Sequence, residues 1–267
     1  MRTQTTGKIR LYVRSALTAG VSLNVDPAQA HYLGQVMRLK IGGSVLLFNG
    51  VDGEWRGRIE TLGKKTATLT LVDQTRSQSD ETASGPWLVF APVKKTATDF
   101  IVEKATELGA ARLLPMFTRH TASSRVNIER MTANAIEAAE QCERLSVPCI
   151  AEPASFQNLI AAWPADRTLL VLDETGGGEP IAQALEKMIG ANPPERPAFY
   201  SIMTGPEGGF DSRELDALAK LPFVHKVGLG PRILRAETAA LSALACAQAM
   251  IGDWRKAPRF RRNTESQ

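Results

Sequence analysis

Two glycine-containing loops carry the residues best suited to chemistry. The first, Gly205-Pro206-Glu207-Gly208-Gly209-Phe210, follows the apolar run Phe199 to Thr204 and precedes a helix whose Asp211 and Glu214 stand in capping-box spacing. The second, Leu229-Gly230-Pro231-Arg232-Ile233-Leu234-Arg235-Ala236-Glu237-Thr238-Ala239, follows the run Val224 to Leu229 and opens a long final helix. Glycines at the carboxyl ends of strands let the backbone approach a ligand closely, and open α/β sheets bind their ligands there. Two such loops can form one pocket. The spacing is neither GxGxxG nor GxxxxGK[ST], which disfavours a dinucleotide site and excludes a P-loop. On pattern alone each loop also reads as a tight turn without a ligand, and Arg235 with Glu237 as a salt bridge capping the helix.

The remaining reactive side chains are scattered. Cys142, Cys149 and Cys246 show no CxxC spacing, and His31, His120 and His225 form no HExxH pair. Neither a disulfide framework nor a metal site is therefore expected.

The elements that position the two loops follow from the apolar pattern. Trp87 to Ala91, Arg112 to Phe117, Thr168 to Asp173, Phe199 to Thr204 and Val224 to Leu229 read as buried strands. Helices fall between them at Thr98 to Leu108 (stopped by Gly109), Ile128 to Arg144, Asp211 to Leu221 and Ala236 to Trp254. This alternation predicts an α/β domain with a largely parallel sheet over 87–267. Residues 1–74 read differently, as short strands near Ile9–Val13, Ser44–Gly50, Trp55–Glu60 and Ala67–Val72 with glycine turns and one helix near Gln29 to Arg38, which suggests a small β-barrel. Residues 75–86 contain almost no large apolar side chain and read as a linker.

At 267 residues, with 43% hydrophobic and 22% charged residues, the chain has a globular profile. No apolar run is long enough to span a bilayer and the first residues lack a secretory signal, so a cytoplasmic protein without a membrane partner is expected. The net charge of +4 is uneven: residues 1–80 carry +5 and residues 81–267 carry −1. A further basic group, Arg255, Lys256, Arg259, Arg261 and Arg262, lies at the end of the chain. Such patches suit a polyanion, although each cation is equally readable as an ordinary solvated charge.

The two loops together resemble the signature of the SPOUT methyltransferases, and more narrowly the family that methylates N3 of a uridine in bacterial 16S ribosomal RNA. The resemblance extends to His31-Tyr32-Leu33 with Val36-Met37-Arg38, to Lys94-Lys95 and Glu103 through Gly109, to Pro115, and to the helix Glu137 to Arg144. Residues 151–197 and the basic tail match poorly. The resemblance implies an α/β fold with a trefoil-knotted parallel sheet, a PUA-like β-barrel in front of it, a homodimer, and S-adenosylmethionine as cofactor. It implies 16S ribosomal RNA of the small ribosomal subunit as substrate.

Carried over position by position, the cofactor pocket uses Leu172, Thr204, Gly205, Gly208, Gly209, Leu229, Gly230, Ile233 and Leu234. Methylating uridine N3 requires loss of its proton while charge develops on the flanking carbonyl oxygens. Arg235 is the candidate to stabilise that charge, with Arg10 as a second candidate reaching from the barrel. Glu237 is the candidate base, or else it orients Arg235 or caps the helix. Arg14, His31, Arg38, Arg56, Arg58, Lys64 and Lys65 are the candidate RNA contacts. Two alternatives stay open: a SPOUT enzyme acting elsewhere on RNA, such as a ribose 2′-hydroxyl, and a non-catalytic RNA-binding or ribosome-assembly protein, which would not need the loop pair.

Overall fold

The computed structural model describes residues 9–81, 85–191 and 199–255. Contacts divide the chain into two units: the described residues of Met1–Ala83 with Glu129–Pro148, and those of Ser84–Ile128 with Cys149–Gln267.

The first unit is built on β1 (Arg10–Tyr12), β2 (Ser22–Val25), α1 (Pro27–His31), β3 (Ser44–Phe48), β4 (Glu54–Leu62) and β5 (Ala67–Arg76). Its five strands run in the order β1-β3-β4-β5-β2, with β1 parallel to β3 and the other pairs antiparallel. Along β4, Gly57 and Ile59 turn inward while Arg56 and Arg58 face out, the period-two pattern of a half-buried strand. Val45, Leu47, Ile59, Leu69 and Leu71 fill the core. Helix α1 starts at a reciprocal capping box between Asp26 and Gln29, with Pro27 at the first turn, and Gln29 also donates to the Tyr12 carbonyl at 2.7 Å. The helix expected near 29–38 in fact changes type: a π turn follows at Tyr32–Val36, burying Leu33, and the chain leaves it through Arg38 at φ 53°. Strand β2 was not foreseen.

The second unit carries β6 (Trp87–Phe90), α2 (Lys95–Glu107), β7 (Arg112–Phe117), β8 (Cys149–Ile150), β9 (Ala154–Ser155), α4 (Phe156–Ala161), β10 (Thr168–Leu172), β11 (Glu179–Pro180), α5 (Ile181–Ala191), β12 (Tyr200–Thr204), α6 (Ser212–Ala219), β13 (Val224–Gly228) and α7 (Ala236–Met250); α3 (Ile128–Gln141) interrupts this series in sequence. The strands pair in parallel in the order β11-β13-β10-β12-β6-β7-β8, with β9 on β7. Every residue of β12 is buried, as are Leu169 to Leu172 of β10. Burial on both faces explains why these strands read as continuous apolar runs. Strand β13, late in the chain, lies between β10 and β11, so the connection leaving β10 crosses it. Gly178 in that connection sits so close to β13 that a Cβ there would fall 2.6 Å from the Val227 carbonyl carbon. A late strand inserted beneath an earlier connection is what a knotted chain requires.

Helix α3 lies inside the 87–267 stretch, yet residues 129–148 join the first unit. Its buried face is Met131, Ala135, Ala138 and Ala139, spaced for one side of a helix. A set of polar bonds joins it there. Arg10 donates to the carbonyls of Ala139 at 2.9 Å, Glu140 at 3.2 Å and Arg144 at 2.8 Å, and its Nε pairs with Glu54 at 2.6 Å. The Tyr12 amide donates to Glu140 at 2.8 Å, and Arg76 donates to the Glu143 carbonyl at 2.7 Å. The stretch read as a linker, 75–86, begins as the end of β5, and its Glu81 accepts from the amides of Leu145 at 2.6 Å and Ser146 at 3.1 Å. Residues 82–84 of that stretch, and Lys256, Arg259, Arg261 and Arg262 of the basic tail, lie outside the described residues.

Candidate functional site

Three strand ends of the second unit, those of β10, β12 and β13, open onto one cavity of about 660 Å³. That volume suits a ligand the size of a nucleoside derivative. Strand β10 delivers Leu172 and Asp173, β12 delivers Thr204 and Gly205, and β13 delivers Val227 and Gly228. The loop 205–210 is anchored on one side by Phe210, which is buried in the core, and on the other by α6, whose Asp211–Glu214 capping box forms as its spacing predicts. Gly209 adopts φ 70°, a backbone conformation that favours glycine, and the Glu174 carboxylate lies over it. In the second loop Gly230 adopts φ 93°, which turns the chain before Arg235 caps α7 without a side-chain hydrogen bond.

Of the residues expected at a cofactor, Leu172, Thr204, Gly205, Gly209, Leu229, Gly230, Ile233 and Leu234 line this cavity. Gly208 does not; it packs against His120, whose Cβ would be 3.2 Å from a Cβ on the glycine. Arg235 lines the cavity with Arg232. Both are exposed, and no described residue forms an ion pair with either. Glu237 sits half-buried in the first turn of α7, is not among the lining residues, and makes no ion pair with Arg235. It neither bridges to Arg235 nor reaches the cavity wall, and an acidic side chain in a first turn favours the helix dipole.

Arg10 belongs to the first unit and is not a lining residue of this cavity. It is 5% exposed, its guanidinium is taken up by Glu54 and three carbonyls, and it stacks 4.3 Å over the Phe48 ring. A cation so fully engaged is not free to meet a substrate, so its catalytic reading gives way to a structural one. The candidate RNA contacts Arg14, His31, Arg38, Arg56, Arg58, Lys64 and Lys65 are all exposed on the first unit. Arg56 and Arg58 are partly neutralised by Asp73 at 3.4 Å and Glu60 at 3.0 Å.

The sequence reading missed a third loop, Asp173-Glu174-Thr175-Gly176-Gly177-Gly178, most of which lines the cavity. Its signal was present as a glycine triplet after a strand, the same pattern that marked the other two loops. Asp173 is 5% exposed and accepts from the Thr175 amide at 2.9 Å and hydroxyl at 2.6 Å through Oδ1. Its Oδ2 is buried without a hydrogen-bond donor among the described residues, with Lys226 Nζ at an ion-pair distance of 3.6 Å. Burial pushes the Asp173 carboxyl up; the two Thr175 bonds and Lys226 outweigh it and hold the group below its ordinary value. Among the described residues no group of three His, Cys, Asp or Glu is arranged to hold a metal ion, and no helix is long and apolar enough to cross a membrane.

Comparison with known proteins places this geometry in a family. Residues 83–248 match the RNA methyltransferase domain and residues 25–72 the RNA methyltransferase PUA domain. The ribosomal RNA small subunit methyltransferase E of Rickettsia conorii is 32% identical over 88% of this chain and 93% of its own length. Among solved structures, the enzyme of that name from Neisseria gonorrhoeae, bound to S-adenosyl methionine, superposes with a TM-score of 0.79 at 24% identity, covering 92% of this chain and 99% of that one. A Legionella pneumophila protein in complex with the same cofactor gives 0.77 at 25% identity, covering 91% and 97%. The fold is the anticipated SPOUT-type α/β sheet with a PUA-like unit before it, and the chain belongs to the ribosomal RNA small subunit methyltransferase E family of RNA methyltransferases.

Proposed function

We propose that the chain transfers a methyl group from S-adenosylmethionine to N3 of a uridine in 16S ribosomal RNA of the small subunit, acting in the cytoplasm. The observation that carries this reading is the cavity at three strand ends, walled by backbone-rich loops and rimmed by Arg232 and Arg235 without acidic partners among the described residues. The residues fit the cofactor: glycine loops give close backbone contact for an adenine and ribose, and the wall offers carboxylates rather than a phosphate cradle, which suits a cationic ligand. When bound, S-adenosylmethionine supplies an electrophilic methyl group on a sulfonium.

The chain's own part is positioning and charge. Arg235, exposed on the cavity lining and without an ion pair among the described residues, meets the oxygen charge that develops as uridine N3 gives up its proton. The exposed cations of the first unit, with Arg14, Arg38, Lys64 and Lys65 free of ion pairs among the described residues, hold the RNA backbone, so binding weakens with added salt. A target base paired in the ribosome has to be accessible or flipped outward. A homodimer accompanies this reading: Ile233, on the cavity loop, is 87% exposed, and a second copy is the natural cover for an aliphatic side chain at that position.

The test is methyl transfer from labelled S-adenosylmethionine to unmodified small subunits, with the product nucleoside identified by mass spectrometry. The expected product is 3-methyluridine. A ribose-methylated product moves the site on the RNA, and absence of both incorporation and cofactor binding leaves the non-catalytic RNA-binding reading.

A further inference from the structure

We infer that Glu174 reads the positive charge of the cofactor, so that the pocket prefers the sulfonium donor to the neutral sulfide left after methyl transfer. The inference rests on the cofactor reading above and names a specificity residue within it. Glu174 lines the cavity, is exposed, and has no hydrogen bond or ion pair among the described residues. Its carboxylate lies over Gly209, in the space that a Cβ on that glycine would take, so it faces the 205–210 loop at the cavity wall.

Its neighbour supports the same conclusion. Asp173 is buried at the root of the loop, locked by Thr175 and Lys226, and its Oδ2 is buried without a hydrogen-bond donor among the described residues. With Lys226 answering Asp173, Glu174 is left as the uncompensated negative charge of the 173–178 loop among the described residues; the exposed Glu207 is a second lining carboxylate, on the 205–210 loop. The opposite charges of the cavity, Arg232 and Arg235, belong to the 229–235 loop. The cavity thus has an acidic loop for a cationic ligand and a basic loop for an anionic one. Methyl transfer turns a sulfonium into a sulfide, so a carboxylate near the donor holds the substrate and releases the product.

The experiment is calorimetric titration of the full chain with S-adenosylmethionine, with sinefungin (which carries an ammonium where the sulfonium stands) and with S-adenosylhomocysteine. For a charge at close range near solvent, Glu174→Gln is expected to weaken the two cationic ligands by about five- to tenfold. The neutral product should move less than twofold, collapsing the preference. Glu174→Asp, which keeps the charge, should retain the preference. Equal weakening of all three ligands in Glu174→Gln, or no change in any, overturns the inference while leaving the cofactor reading intact. A wild-type chain that binds none of the three overturns both. Thermal melts of the variants match wild type, since Glu174 is exposed and makes no hydrogen bond or ion pair among the described residues.

Discussion

Arg10 and Arg235 are the same residue type in two regions with opposite demands. Arg10 is sealed in the first unit, where one carboxylate, three carbonyls and an aromatic face engage every nitrogen of its guanidinium. Arg235 stands exposed at the cavity mouth of the second unit with no acidic partner among the described residues. A buried and saturated cation contributes to stability and has no capacity left for a ligand. An exposed and unsaturated one contributes little to stability and keeps its full field for a charge that appears during reaction. The lesson is that partner count, more than residue type, separates the structural arginine from the functional one.

The contrast is broken most directly at Arg10. Arg10→Ala leaves Glu54 buried without its cation and frees three backbone acceptors, so the first unit should lose about 3–5 kcal/mol of stability. Urea unfolding followed by intrinsic fluorescence, in a chain whose Trp87, Trp163 and Trp254 are replaced by Phe so that Trp55 alone reports, measures it, and adding Glu54→Gln should recover part of the loss by removing the stranded charge. Arg235→Ala should do the reverse. Turnover falls about 10²–10³-fold, the scale of one lost stabilising donor at a developing oxyanion. The unfolding midpoint stays within about 0.5 kcal/mol of wild type, as for an exposed side chain without partners. If Arg235→Ala unfolds as early as Arg10→Ala, or methylates at the wild-type rate, the division of roles is wrong.

How legible each region was in the sequence follows the same line. Local features were readable: the Asp211–Glu214 spacing, the end of α2 before Gly109, the limits of β7, and the glycine loops after β12 and β13. Features resting on distant partners were not. Nothing near Arg10 in sequence announces Glu54 or the carbonyls of α3, more than a hundred residues later, so a charged residue in a short strand read as a reaching catalytic arm. Helix α3 itself has an ordinary amphipathic pattern that does not say which core it faces. The 173–178 loop was overlooked for a different reason. Its glycine triplet was visible, but it lies in the stretch where family resemblance is weakest, and resemblance outweighed the physical pattern.

A smaller effect sharpens the comparison at the level of local structure, since both units use a capping box. Asp26→Ala and Asp211→Ala each remove one cap and should cost about 1 kcal/mol. Their functional consequences should differ. Asp211 anchors the end of the 205–210 loop, so its loss should also loosen cofactor binding a few-fold, whereas Asp26→Ala should leave that affinity unchanged. Calorimetry on the two variants, matched for stability, separates them.

Two carboxylates extend the comparison to pH. In the first unit, burial outweighs the Tyr12 amide and Arg10 and holds the Glu140 carboxyl above its ordinary value. In the second, the Thr175 bonds and Lys226 outweigh burial and hold Asp173 below its own. The signs are therefore opposite. A raised carboxyl keeps its proton longer when folded, so its penalty is absent below the reference value of 4.5 and grows as pH rises through the folded value. A depressed carboxyl contributes stability above the reference value of 3.8 and loses it as pH falls through the folded value. Glu140→Gln keeps an acceptor for the Tyr12 amide and removes the penalty, so stability at neutral pH should be equal or higher and the curve flatter just above 4.5. Asp173→Asn should be less stable than wild type at neutral pH and lose less than wild type on acidification below 3.8. Denaturant midpoints at intervals from pH 3 to 7 test both at once. Curves that change in the same direction would mean that the two carboxylates share one environment, which their burial and partners argue against.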